Sequence, residues 1–276
     1  MKNSYKIISI IAAILAVILA LAGFKLFVQE KQAGSEYETL LTTVSESQPE
    51  TIESTETEAA VTTETVTDSP YVLADGDGSF TTREDIDFEA LKERNPDVYA
   101  WIEIPETNVD YPVLQHPTDN EYYLKHTIDH QETIAASIYT EDYNNTDFND
   151  HHTVIYGHNM KNGSMFRTLH NFEDADFFAE NRDIIIYMPE ETRYYKVFAA
   201  YTYDNRHLLH SYYCEEPESF QAYLDEVYAI KDFGANIDTD MSVTGEDYVI
   251  TLSTCVNSGD STQRYLVQAV LVSIDN

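Results

Sequence analysis

Basic side chains are scarce in this chain: 16 Lys and Arg stand against 49 Asp and Glu, a formal net charge of −33. Nucleic acid is a poor partner for such a chain, because phosphate binding draws its affinity from Lys and Arg. Adhesion to anionic lipid is disfavoured by the same charge. The sequence has no basic patch with interleaved aromatics, no glycine-rich phosphate loop and no internal repeat. It also lacks a clustered Asp/Glu/Gly loop of the EF-hand type. His126 and His130 are four apart but lack the glutamate of an H-E-x-x-H site and any evident third ligand. The expectation is therefore no metal and no cofactor. Cysteine is nearly absent too, with only Cys214 and Cys255. The two could form at most one disulfide, which would disable Cys255 as a nucleophile.

Long apolar runs are missing except at the start, where residues 7–24 carry no charge between Lys6 and Lys25. Eighteen residues at helical rise reach about 27 Å, close to the roughly 30 Å of a bilayer's hydrocarbon. Leu26-Phe-Val28 can extend the span while Lys25 snorkels. Residues 1–28 are expected to be a cytoplasmic stub and an uncleaved single-pass membrane anchor. The small residues Ala20-Leu-Ala22 keep a cleaved signal peptide open as the alternative. Either way, the remainder is exported. Over residues 29–84, Thr, Ser and Glu dominate and large apolar residues are few. Such a segment buries too little apolar surface to offset its ordering entropy, and it reads as an acidic extracellular tether.

Residues 85–276 then form one folded domain, mainly β. Runs rich in β-branched and aromatic residues, bounded by turn residues, predict strands over 98–104, 111–115, 136–139, 153–157, 183–188, 194–203, 248–253 and 264–274. Seven or eight strands in one domain suggest a closed barrel or a sandwich. A short helix is expected over 87–95, ahead of the first strand. In residues 217–230, Phe220, Tyr223, Leu224 and Val227 recur at i, i+3, i+4 and i+7. That spacing places an amphipathic helix in the long connection between the sixth and seventh strands.

The chemistry gathers at strand ends. Tyr248-Val-Ile-Thr-Leu-Ser-Thr-Cys255 reads as a strand ending in a thiol, and the next strand starts at Arg264. A hairpin there sets a guanidinium beside the cysteine. Taken alone, Cys255 is equally a buried core thiol. Among nine histidines, His151, His152, His207 and His210 read as solvated loop residues, and His116 has no partner in view. His158 ends the run Val154-Ile-Tyr-Gly-His158 at a tight turn. It can therefore meet Cys255 at one rim and act as the base a cysteine nucleophile needs. A satisfied turn histidine is the competing reading. The acidic residues Glu141, Asp142, Asp147 and Asp150 read as solvation.

Together, Thr251-Leu-Ser-Thr-Cys255, Val154-Ile-Tyr-Gly-His158-Asn-Met160 and Arg264 resemble the three signature elements of sortases, the membrane-anchored cysteine transpeptidases of Gram-positive surfaces. Asn95-Pro-Asp-Val-Tyr-Ala-Trp-Ile, Asn108-Val-Asp-Tyr-Pro-Val-Leu-Gln115, Asn120-Glu-Tyr-Tyr-Leu124 and the helix over 217–230 are similar to class B members. The resemblance implies a closed eight-stranded barrel that cleaves a C-terminal sorting motif of secreted proteins, LPXTG-like or NPXTN-like, through a thioester. The acyl group then passes to an amine of the cell-wall precursor (lipid II) or to a pilin lysine. It further implies Cys255 as nucleophile, His158 as general acid and base, and Arg264 as the donor to the substrate carbonyl and oxyanion. Asn120, Leu124, Ser253 and Thr254 would line the substrate groove, and class B members are expected to act without calcium. A secreted cysteine hydrolase and a non-catalytic stalked barrel are the alternatives.

Overall fold

The structure is a computed structural model that describes residue 83, residues 86–257 and residues 262–276. The expected anchor, nearly all of the expected tether and the tip of the last hairpin lie outside the described residues. Among the described residues, no helix is long and apolar enough to cross a membrane.

Nine strands form one sheet: β1 (Val98–Ile104), β2 (Val109–Leu114), β3 (Ile138–Thr140), β4 (His152–Tyr156), β5 (Asp183–Tyr187), β6 (Thr192–Asp204), β7 (Asn236–Ile237), β8 (Val249–Cys255) and β9 (Gln263–Asp275). Their order is β5-β1-β2-β3-β4-β8-β9-β6-β7, and β5 also pairs with β6. Eight strands thus close a barrel, as the sequence suggests. The two-residue β7, which the sequence reading missed, attaches outside the ring. It uses Ala199 and Ala200 of β6, past the stretch that pairs with β5.

Alternation along the strands sorts the core into two parts. On β9, Tyr265, Val267, Ala269 and Leu271 join the cluster inside the barrel, whereas Leu266 and Val270 join a second cluster outside it. Both faces of this strand are covered, so the run is apolar almost without interruption.

The helix α4 (Pro217–Tyr228) makes the outer cover. Pro217 begins it, where a missing N–H costs nothing. Its Phe220, Tyr223, Leu224 and Val227 are buried against Val154, Phe198 and Leu266. This helix and the first one, α1 (Phe88–Arg94), lie where the sequence predicts them, and Asp87 caps α1 by accepting from the Ala90 N–H at 2.9 Å. Three further elements went unread: a 3-10 segment over Phe166–Glu173, α2 (Ala175–Glu180) and the single turn α3 (Leu208–Ser211). The expected helical turn after Asp119 is a 3-10 turn, Tyr122–Leu124.

The histidines correct the sequence reading most. His152 is 2% exposed, inside β4 rather than in a solvated loop, with its ring stacked on Phe220 and Tyr223. A local polar context hid it, because the covering helix lies over sixty residues away in sequence. His116 does have partners: its Nδ1 accepts from the Thr118 and Asp119 N–H groups, and its ring stacks on Tyr122 at 4.5 Å.

Candidate active site

β8 and β9 pair antiparallel with Cys255 directly opposite Arg264 and Ser253 opposite Leu266. β4 runs parallel to β8 with Tyr156 beside Ser253. Directly opposed residues share a face of the sheet, so Tyr156, Ser253, Cys255, Arg264 and Leu266 all lie on the outer face. There they line a cleft of about 240 Å³, whose walls also include Asn120, Leu124, His158, Thr254 and His207. All seven residues singled out in the sequence therefore border one cleft.

Gly157 carries the chain from β4 to His158, and a Cβ there would come within 2.5 Å of Ile138 and 2.7 Å of Phe166. Close approach, not an unusual backbone angle, is why glycine stands here. The Gly157 N–H extends the ladder by donating to the Ser253 carbonyl at 3.1 Å. The His158 carbonyl accepts from the Phe166 N–H at 2.9 Å, so the histidine's backbone is held on both sides. Its ring Nε2 donates to the Leu124 carbonyl at 2.8 Å.

Asn120 and Leu124 line the same cleft. The Asn120 side chain donates to Asp142 at 2.6 Å and accepts from the Asp142 N–H at 2.8 Å. Asp142 is exposed and is also the hydrogen-bond partner of Asn120. Ser253 and Thr254 are 5% and 2% exposed and present little more than an edge to the cleft.

Other lining residues were missed in the sequence. Glu141 pairs with His207, and His207 lies 3.5 Å from the Tyr156 hydroxyl and stacks on His210. Glu141 and His207 are therefore not free solvated residues. Burial first, and the Glu141 carboxylate next, raise the Tyr156 phenol far above its ordinary pKa, so it stays neutral. Period-two alternation along β4, which puts Tyr156 two residues before His158, was the signal that could have found Tyr156. For His207 no local signal existed.

Both cysteines are free thiols, Cys255 partly exposed and Cys214 buried. Among the described residues, no group of three or more His, Cys, Asp or Glu is placed to hold a metal ion. A thiol, an imidazole and a guanidinium on one cleft can attack a carbonyl, move a proton and bind a developing oxyanion.

Residues 102–272 match the family model described as the Sortase domain. The chain belongs to the sortase family. It is 36% identical over 189 residues to sortase B of Listeria monocytogenes, covering 66% of this chain and 73% of that protein. Against sortase B of Staphylococcus aureus the identity is 29%, with 68% and 75% covered. Solved sortase B structures share the fold. That of Clostridium perfringens superposes with a TM-score of 0.60 at 28% identity, covering 68% of this chain and all of that one. A Staphylococcus aureus sortase B–substrate complex gives 0.58 at 28%, with 67% and 84% covered. This sortase is a transpeptidase of the class B type, a family that acts on sorting-signal substrates and amine acceptors.

Proposed function

We propose that this sortase cleaves a C-terminal sorting motif of secreted proteins, NPXTN-like or LPXTG-like, after its threonine and transfers the acyl part to an amine of the cell-wall precursor. The observation that carries the reading is the direct register of Cys255 against Arg264, with His158 on the same cleft. The Cys255 thiolate attacks the threonine carbonyl carbon and forms a tetrahedral intermediate, whose oxyanion takes hydrogen bonds from the Arg264 guanidinium. Arg264 serves as donor only, because a guanidinium does not give up its proton. Collapse breaks the peptide bond and leaves a thioester, while His158 supplies the proton to the departing amine. The incoming amine then loses a proton to His158 as it attacks the thioester, and the thiolate leaves.

The Nε2 bond to the Leu124 carbonyl leaves Nδ1 of a neutral His158 ring as the nitrogen that exchanges this proton. Asn120, Leu124, Ser253 and Thr254 contact the bound motif in the cleft. The apolar stretch of residues 7–24 anchors the chain in the cell membrane with its N-terminus cytoplasmic, and residues 29–84 hold the barrel outside. A sorting peptide incubated with and without an amine nucleophile tests the reaction. Transfer predicts faster turnover and a ligated product with amine present. Hydrolysis indifferent to the amine, or cleavage by Cys255→Ala, would refute it.

A further inference from the structure

Beneath the cleft, on the side away from substrate, a second set of polar residues converges on the main chain of the cysteine. Asn159 follows His158 directly and is 4% exposed. It lies in extended backbone, bridged to Met165, where successive side chains point to opposite sides. Its amide Nδ2 donates to the Cys255 carbonyl at 2.8 Å and to the Val256 carbonyl at 3.2 Å. The Arg167 guanidinium, donating to Asn159 Oδ1 at 3.4 Å, fixes which end of the amide faces those carbonyls.

His170 Nε2 lies 3.1 Å from the same Cys255 oxygen and 2.9 Å from Asn159 Nδ2. Its Nδ1 is 2.6 Å from Glu173 Oε1, and its ring stacks on Tyr265 at 4.8 Å. Glu173 takes the Nδ1–H, so Nε2 of a neutral ring is an acceptor, and it holds the Asn159 amide beside the carbonyl by accepting from Nδ2. Among the described residues the last bond of the hairpin, from the Val256 N–H to the Gln263 carbonyl, is 3.4 Å long. Asn159 therefore adds a side-chain tie on the end of β8, and it comes from the residue next to the histidine.

We propose that Asn159, oriented by Arg167 and backed by His170 and Glu173, is a positioning residue that sets the Cys255 strand end against His158. This rests on reading Cys255 and His158 as the reacting pair. The geometry between two reacting groups governs the chemical step more than substrate binding, and a displacement of about 1 Å costs roughly a hundredfold in rate. Losing the tie should therefore lower kcat and leave KM nearly unchanged.

The test is steady-state kinetics of the full-length chain on a quenched-fluorescent peptide carrying an Asn-Pro-X-Thr-Asn or Leu-Pro-X-Thr-Gly core, whichever the parent cleaves. Asn159→Asp keeps the size but replaces the amide donor by a carboxylate; Asn159→Ala removes it. Both should lose about 10- to 100-fold in kcat with KM within about threefold. His170→Phe keeps the stacking on Tyr265, loses the acceptor that holds the Asn159 amide, and should lose about fivefold in kcat. It decides the matter if the Asn159 variants do not fold. Asn236→Ala is the control, because that half-buried amide donates to the Phe172 carbonyl at 2.7 Å outside the cleft; it should lower stability and leave kcat alone. The proposal is overturned if the Asn159 and His170 variants keep kcat within about twofold, or change only KM. Activity in Cys255→Ala would instead overturn the underlying site reading.

Discussion

His158 donates its ring Nε2–H to the backbone carbonyl of Leu124 at 2.8 Å, so the wall of the substrate cleft also holds the imidazole. A main-chain acceptor cannot be protonated or exchanged by mutation, and it orients the ring without adding charge beside the thiol. The imidazole and the groove wall are thus one mechanical unit.

Removal of that imidazole should separate binding from chemistry. His158→Ala is expected to lower kcat for peptide transfer by about 10²- to 10⁴-fold, the usual contribution of a general acid and base, while peptide binding to an inactive Cys255→Ala background stays within a few-fold. Transfer kinetics and fluorescence titration would read the two quantities. A His158→Ala enzyme with parent-like kcat would remove the histidine from the mechanism.

Gly157 stands where no side chain fits. Gly157→Ala must displace the Ile138 or Phe166 side chains from 2.5–2.7 Å contacts. Overpacking of this kind costs about 1–3 kcal/mol, and the displacement falls one residue from His158. The variant should melt several degrees lower and turn over more slowly at temperatures where it is fully folded.

Cys214 should be chemically silent. Burial pushes its thiol up to about 12, so at neutral pH essentially no thiolate forms. One equivalent of a thiol-alkylating reagent at pH 7.5 should label Cys255 and spare Cys214, as read by peptide mass spectrometry, and Cys214→Ser should keep parent kcat. Because the folded thiol resists ionisation while the unfolded one ionises near 8.5, its contribution to stability is complete below that pH and declines as pH rises toward 12.

Acid should act through His152. Burial lowers its pKa to about 3, against about 6.5 in an unfolded chain. Between these values the unfolded state binds the proton and the folded state does not, so stability is complete above pH 6.5 and falls as pH drops. At pH 4.5 the loss from this one ring is about 2–3 kcal/mol. His152→Phe preserves the stacking on Phe220 and Tyr223, while Thr251 keeps its bond from Gln268 at 2.9 Å. Urea unfolding at pH 7 and 4.5 should therefore show a smaller acid penalty in the variant than in the parent.

Much of the barrel was legible in the linear sequence because its determinants are local. Period-two alternation and β-branched runs mark eight strands, and the 3.6-residue spacing of Phe220, Tyr223, Leu224 and Val227 marks the covering helix. The adjacency of Cys255 and Arg264 was equally local, since a short hairpin joins them. Tertiary structure alone decided which polar residues are buried or paired. His152 lies under a helix distant in sequence, Glu141 meets His207 across the cleft, and Asn159 and His170 reach the Cys255 carbonyl from 96 and 85 residues away. Propensity and periodicity report a residue's own neighbourhood, whereas desolvation and hydrogen bonding depend on whatever the fold brings alongside it.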